Sequence, residues 1–160
     1  MPSRRILWAL PATAVALAAL FLVLGRDDGG RRWSKAEYQQ KVRADYGGVQ
    51  EAFRNTNVQS TKLLATRVAE AQTELRQAAA DLDETKPPSE VEKENKQLLE
   101  GMRDYADDLD ELRQAAERND AAGVQKFNQA IAQNAAVRQM AEAAEEMKFE
   151  GYDLGPIAEE

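Results

Sequence analysis

No cysteine and no histidine occur anywhere in the 160 residues. Without cysteine there is no disulfide, no thiolate nucleophile and no thiolate metal site, although this absence leaves the redox compartment open. Without histidine the chain lacks the commonest general base and the commonest transition-metal ligand. A di-iron bundle built on Glu-x-x-His pairs is excluded with it. Aromatic residues are scarce, at 6%. A surplus of positive charge is missing too: the formal net charge is -7, which argues against nucleic acid, since phosphates are neutralised by clustered Lys and Arg. No Gly-rich phosphate loop appears, because Gly47-Gly48 stands alone inside an apolar stripe.

What the chain does contain is 43% hydrophobic and 31% charged residues, with alanine supplying much of the apolar fraction. A mixture of Ala, Glu, Gln, Leu and Arg is the composition of long helices. One domain is expected at this length, with some chain set aside at the N-terminus.

Met1 to Arg5 is short and basic, and Ile6 to Leu24 then runs without a charged residue. At 1.5 Å per residue this run reaches about 28 Å, close to the hydrocarbon core of a bilayer. Pro11 sits near one end, where a membrane helix tolerates it. The rival reading is a cleaved signal peptide, whose apolar region is shorter and ends in small residues. Here the run ends in Leu20-Phe21-Leu22-Val23-Leu24, which favours an uncleaved anchor over residues 1–25. Arg26, Arg31, Arg32 and Lys35 after the span outnumber Arg4 and Arg5 before it, and counted literally they lean towards a cytoplasmic domain. A short basic lead into an apolar run has the shape of an export signal, and the outer face is the reading taken. Residues 26–33, with Gly29-Gly30, read as a linker.

An all-α fold follows: a transmembrane helix, then an up-down-up-down four-helix bundle over 34–150 and a tail over 151–160. Ser34 and Glu37 form a capping box, flanked by Trp33 and Tyr38 at the staple positions. Tyr38, Val42, Tyr46, Val49 and Phe53 continue one stripe, and Asn55-Thr56-Asn57 is the expected turn. The second helix carries Leu64, Val68, Ala71, Leu75, Ala78 and Leu82, and Pro87-Pro88 stops it. Ser89 and Glu92 read as a second capping box. The third helix shows Val91, Asn95, Leu98, Met102, Tyr105, Leu109, Leu112 and Ala116. Asn119-Asp120 breaks it, and Asp120 caps a fourth helix with the stripe Phe127, Ala130, Asn134, Val137, Ala141 and Ala144. Gly151 is its stop.

Short loops make consecutive helices antiparallel, so facing positions have a constant summed number. Helices two and three pair Leu82/Val91, Leu75/Leu98, Val68/Tyr105 and Leu64/Leu109. Helices three and four pair Leu98/Ala141, Met102/Val137, Tyr105/Asn134 and Leu112/Phe127, which predicts a Tyr105–Asn134 hydrogen bond. For helix one, Tyr38/Leu75, Val42/Ala71 and Val49/Leu64 agree, but Asp45 falls opposite Val68. A three-helix hairpin with helix one detached is the alternative. The tail, with Gly155-Pro156, cannot continue as helix. It is expected to fold back over the end of the bundle, packing Tyr152 or Leu154 against Trp33.

Three stretches carry a resemblance: Trp33-Ser34-Lys35-Ala36-Glu37-Tyr38 behind an apolar segment, Pro87-Pro88 at mid-chain, and Tyr152-Asp153-Leu154-Gly155 near the end. Together they resemble small exported or membrane-anchored actinobacterial helical proteins of uncharacterised function, over most of residues 33–155. The resemblance implies the outer face and nothing about mechanism.

Candidate sites are few. Glu100, Asp104, Asp107, Asp108 and Glu111 share a helix face, where oxygen ligands could hold Ca²⁺ or Mg²⁺. Straight helices set carboxylates in a row rather than around an ion, and a solvated face diluted by Arg103 and Arg113 is the preferred reading. Glu142, Glu145, Glu146 and Glu150, with Arg138 and Lys148, are read the same way. Ser60 and Lys62 are too close in sequence to face one another as a dyad. Asn95 and Asn134 lie on core stripes, where polar residues commonly set register; a ligand between helices is the sharper alternative. The expectation is therefore no catalytic, metal or cofactor residues. The function expected is a non-enzymatic, membrane-tethered envelope module, held to the lipid bilayer through residues 6–24 and bound to a protein partner. An extracytoplasmic small-ligand-binding or sensing bundle is the alternative: a cavity lined by Asn95, Tyr105 and Asn134 would favour it.

Overall fold

A computed structural model describes residues 31–54 and 60–155 of the chain. Its elements are α1 (Lys35–Arg54), α2 (Thr61–Asp83), a 3₁₀ turn (Ser89–Val91), α3 (Glu92–Glu117), α4 (Ala121–Ala130), a second 3₁₀ turn (Ile131–Gln133) and α5 (Ala135–Phe149). No strand occurs among the described residues. The apolar run 6–24 and the expected turn at Asn55-Thr56-Asn57 lie outside them. None of the described helices is long and apolar enough to cross a membrane.

α1 starts where its capping box is satisfied. The Ser34 amide donates to Glu37 Oε2 at 2.8 Å, and the Glu37 amide donates to Ser34 Oγ at 3.4 Å. The Ser89/Glu92 box does not form. Pro88 accepts from the Val91 amide at 3.2 Å, so the first turn is 3₁₀ and meets its own donors. Glu92 pairs instead with Arg32 at 2.8 Å.

The expected stripes of α2 and α3 are buried except at Leu64, which is half-buried. Val68, Ala71, Leu75, Ala78 and Leu82 are buried on α2, and every expected α3 position from Val91 to Ala116 is buried. α3 buries a second face as well, with Leu99, Ala106 and Ala115, because it is the central helix: it packs on α2, α4 and α5. Gly101 is needed there. A Cβ on it would lie 2.7 Å from Met140 Cγ and 3.0 Å from the Ala136 carbonyl of α5, closer than side chains tolerate.

α1 pairs with α2 further along than its stripe implied. Lys41 reaches Asp81, and Gly48 lies against Glu74, whereas the expected register put Ala71 opposite Val42. α1 is nevertheless part of the bundle, with Tyr38, Val42 and Val49 buried.

The fourth helix is two helices rather than one. After α4 the chain tightens to 3₁₀, and Asn134 takes an extended conformation (φ -63, ψ 128) as the N-cap of α5. Its Oδ1 accepts from the Val137 amide at 3.0 Å. Asparagine competes with the helical backbone through bonds of this kind, so it favours caps over helix interiors. The break resets the phase, and α5 buries Ala136, Ala143, Ala144 and Met147, while Ala141 is exposed and Val137 half-buried. The axial register holds even so, since Lys93 meets Glu146 and Gln139 donates to the Gln97 carbonyl. The Tyr105–Asn134 bond is absent. Asn134 Nδ2 donates to Asp108 at 2.7 Å, and the Tyr105 ring stacks on Phe53 with centroids 5.7 Å apart. Asn134→Ala removes both the cap and the Asp108 bond, and about 1–2 kcal/mol of stability is expected to go with it. The unfolding midpoint in urea checks this.

α3 and α5 close by the same device. At the end of α3, Asn119 (φ 60) donates to the Ala116 carbonyl and Asp120 donates to that of Ala115. At the end of α5, Gly151 (φ 77) donates to Lys148 and Tyr152 donates to Met147. This pairing is a Schellman motif, which turns the chain back along its own helix. Gly151 is thus the expected stop, and it aims the tail at the bundle.

Candidate functional site

α4 has no buried residue. Asp120 caps it by accepting from the Gly123 amide at 2.9 Å, and it lies against α3 through the half-buried Val124 and Phe127. The break at Asn134 leaves α4 along the C-terminal half of α3, and between the two helices runs a half-open groove of about 540 Å³. Ala115, Phe127, Ala130 and Ile131 line it together with the acidic Asp108, Glu111 and Asp120 and the basic Arg118 and Lys126. Ile131 is one of the few exposed large apolar side chains among the described residues, at 36%.

The opposite end of the bundle is closed by the tail. Tyr152 and Leu154 are 2% and 1% exposed, so the tail does fold back. Tyr152 meets Tyr38 edge-on, with centroids 5.9 Å apart. Its hydroxyl donates to Glu90 at 2.9 Å, and Lys35 Nζ lies 4.4 Å from its ring centre. Arg43 holds the Asp153 carbonyl at 2.9 Å and pairs with the Asp153 carboxylate. Trp33 is half-buried at the same end, its amide donating to the Lys86 carbonyl at 2.8 Å.

Beneath the tail, the Tyr38 hydroxyl donates to Asn95 Oδ1 at 2.7 Å and approaches Met147 Sδ at 3.8 Å. Asn95 is thus a core polar residue, as its stripe position implied, with a partner from α1. Burial, with the Tyr152 hydroxyl and the Glu94 charge adding, raises the Tyr38 hydroxyl far above its ordinary value. Burial, then the bond to Glu90, does the same for Tyr152. Burial with nearby Asp108 pushes Tyr105 up to about 12. All three remain neutral hydroxyls at ordinary pH, donors rather than bases.

A third cluster gathers around Asp45, the misfit of the α1 stripe. Asp45 on α1 is 7% exposed at its side chain and takes a 2.6 Å bond from Lys41, which also reaches Asp81 at 3.4 Å. Its second oxygen, Oδ2, is the one buried side-chain polar atom without a partner among the described residues. Burial raises this carboxyl above the usual range, and Lys41 draws it partly back. Gln72, also buried, donates to the Ala106 carbonyl at 2.7 Å and to Asp110 at 3.0 Å. Gln72 and Arg113 hold Asp110 below the usual carboxylate range.

The two acidic stripes are spread along their helices. Glu100 lies 3.8 Å from Lys96, Asp107 pairs with Arg76 at 2.8 Å, and Asp108 takes the Asn134 amide. Glu142 faces Arg138, and Glu146 faces Lys93. No three carboxylates among the described residues converge as a metal site would require. Ser60 precedes α2 with no side-chain bond to the helix, and Gly47 and Gly48 are exposed positions within α1. Of the three residues tied to a ligand cavity, Asn95 binds Tyr38, Tyr105 stacks on Phe53, and only Asn134 lines the groove. No known family model matches the chain, and no curated protein and no solved structure matches it.

Proposed function

We propose that this protein is a non-enzymatic, membrane-tethered helical module of the cell envelope, with its bundle on the extracytoplasmic side, that offers a helix face to a protein partner. The observation that carries this reading is the groove between α3 and α4. Its lining combines the apolar Phe127, Ala130 and Ile131 with charges of both signs, the mixture of apolar and polar surface that protein interfaces carry. It also lies towards the C-terminal end of α3, whereas Arg32 joins the bundle beside Pro87 and Glu92 at the other end.

The interior offers less to a ligand. Asn95 and Gln72 are already engaged within the bundle, and buried polar groups so paired have little left to give a guest. The anchor itself rests on the sequence: an apolar run of spanning length with a bulky, poorly cleavable end.

Proximity labelling from the full chain in its native cells tests the reading, repeated with Phe127→Asp. A reproducible envelope protein labelled by the parent chain and lost from the variant is the expected result, with membrane neighbours labelled equally by both. An identical set of labelled proteins from both chains would reject the groove as the contact surface.

A further inference from the structure

Phe149 is 89% exposed, far beyond Leu63 at 43% and Ile131 at 36%. It is the last residue of α5, and its exposure follows from how that helix stops. The reversal at Gly151 sends Tyr152 and Leu154 into the bundle and leaves the Phe149 ring on the outer side of the turn. Tyr152 and Leu154 are thus drawn inward, and Phe149 is displayed.

The end of the bundle that displays it is the one where the chain arrives. Lys35 Nζ donates to the carbonyl of Glu150, the residue after Phe149, at 2.7 Å. Arg32 Nη1 donates to the Pro87 carbonyl at 3.0 Å at the same end. Residues 25–31 separate the apolar run from Arg32, a stretch that spans at most about 25 Å when fully extended. If the run is embedded in a bilayer, this end of the bundle cannot lie far from the membrane surface.

We propose that Phe149 inserts into the bilayer at the boundary between headgroups and acyl chains, so that this end of the bundle rests on the membrane. The inference deepens the tethered reading above and depends on it. Aromatic rings favour that boundary depth, and amphipathic helices bind there through buried apolar area together with attraction to anionic lipid. The charges around this end are of both signs: Arg32, Lys35 and Lys148 sit among Glu90, Glu92 and Glu150. The ring rather than a basic patch therefore makes the contact, and zwitterionic lipid suffices.

The test uses the full chain in phosphatidylcholine vesicles, with Trp8→Phe and Trp33→Phe removing the native indoles. One version carries Phe149→Trp; another carries Leu63→Trp, near the start of α2 at the remote end of the bundle. Flotation reports whether the chain is in the membrane, and lipids brominated on their acyl chains quench any indole that reaches them. Expected are blue-shifted emission and loss of intensity for Phe149→Trp, with Leu63→Trp unaffected. A floating chain whose Phe149→Trp indole is not quenched overturns the insertion and leaves the tether standing. Equal quenching of both indoles also overturns it, because the bundle would then lie on its side. A chain that fails to float overturns the tether itself.

Discussion

Tyr38→Ala is expected to cost about 3–5 kcal/mol of folding stability, the range for truncating a large buried aromatic. Tyr38 is fully buried and joins three elements: the Tyr152 ring of the tail, Asn95 of α3 and Met147 of α5. Its removal opens a cavity under the tail and deprives Asn95, itself 5% exposed, of a donor. Tyr38→Phe separates the two effects. The ring stays, but Asn95 Oδ1 loses the 2.7 Å bond, and about 1–3 kcal/mol should be lost, the range for a buried acceptor left unmet. Urea unfolding with an unchanged dependence on denaturant measures both. A Tyr38→Phe chain as stable as its parent would mean that Asn95 finds another donor and that the link between α1 and α3 is dispensable.

Lys41→Met should produce the second large effect, and its size should depend on pH. Lys41 and Asp45 are 16% and 7% exposed at their side chains and lie 2.6 Å apart. Removing the ammonium leaves a desolvated carboxylate that already lacks a partner at Oδ2. About 2–3 kcal/mol is expected at pH 7, below the range for a fully buried pair because Lys41 keeps some contact with water. Burial raises the Asp45 carboxyl in the folded chain, with Lys41 opposing and Asp81 adding a little. In the variant the opposing charge is gone and the carboxyl rises further. A group raised on folding binds more protons in the native state, so its contribution to stability is fully present below its unfolded value, about 3.9, and is lost as pH rises through the folded value. The deficit of Lys41→Met should therefore shrink as pH falls from 7 towards 4. Asp110 and Asp153 are held low in the fold, so their contributions are lost on acidification, but equally in both chains. A deficit that is the same at every pH would show that Asp45 is not the group left behind.

Much of this architecture can be read from local or periodic signals. Ser34 and Glu37 are three residues apart and find each other, as a capping box must. The stripes of α2 and α3 run unbroken, so burial follows them. Gly151 followed by Tyr152 marks a stop whose geometry alone returns the tail to the bundle. What could not be read depends on competition between two roles for one residue. Asn134 fits a seam position and an N-cap equally well, and the cap prevails because it satisfies the Val137 amide. Ser89 is equally able to cap, but Pro88 places the first turn in 3₁₀ form, and the capping box never closes.

The candidate groove was invisible for the same reason, since it exists only because the fourth helix breaks and leaves α4 on α3 alone. Asp45 did leave a trace in the sequence as the one misfit in the α1 stripe, opposite an apolar residue in the expected register. The structure resolves that misfit by sliding α1 along α2, so that Lys41 lies between Asp45 and Asp81. The second buried face of α3 was written in Gly101, Ala106 and Ala115. Small residues between the stripe positions are what a helix with neighbours on two sides requires, yet a single stripe already sufficed to explain its period.

The tether is the central claim, and cell fractionation with an intact-mass measurement addresses it most directly. Attachment through residues 6–24 would be apolar, so high salt, which screens charge but not hydrocarbon, should leave the protein with the membranes. Only detergent should release it, at the mass of the uncleaved chain. A soluble species about 25 residues shorter, the length a signal peptidase would remove, would contradict the account.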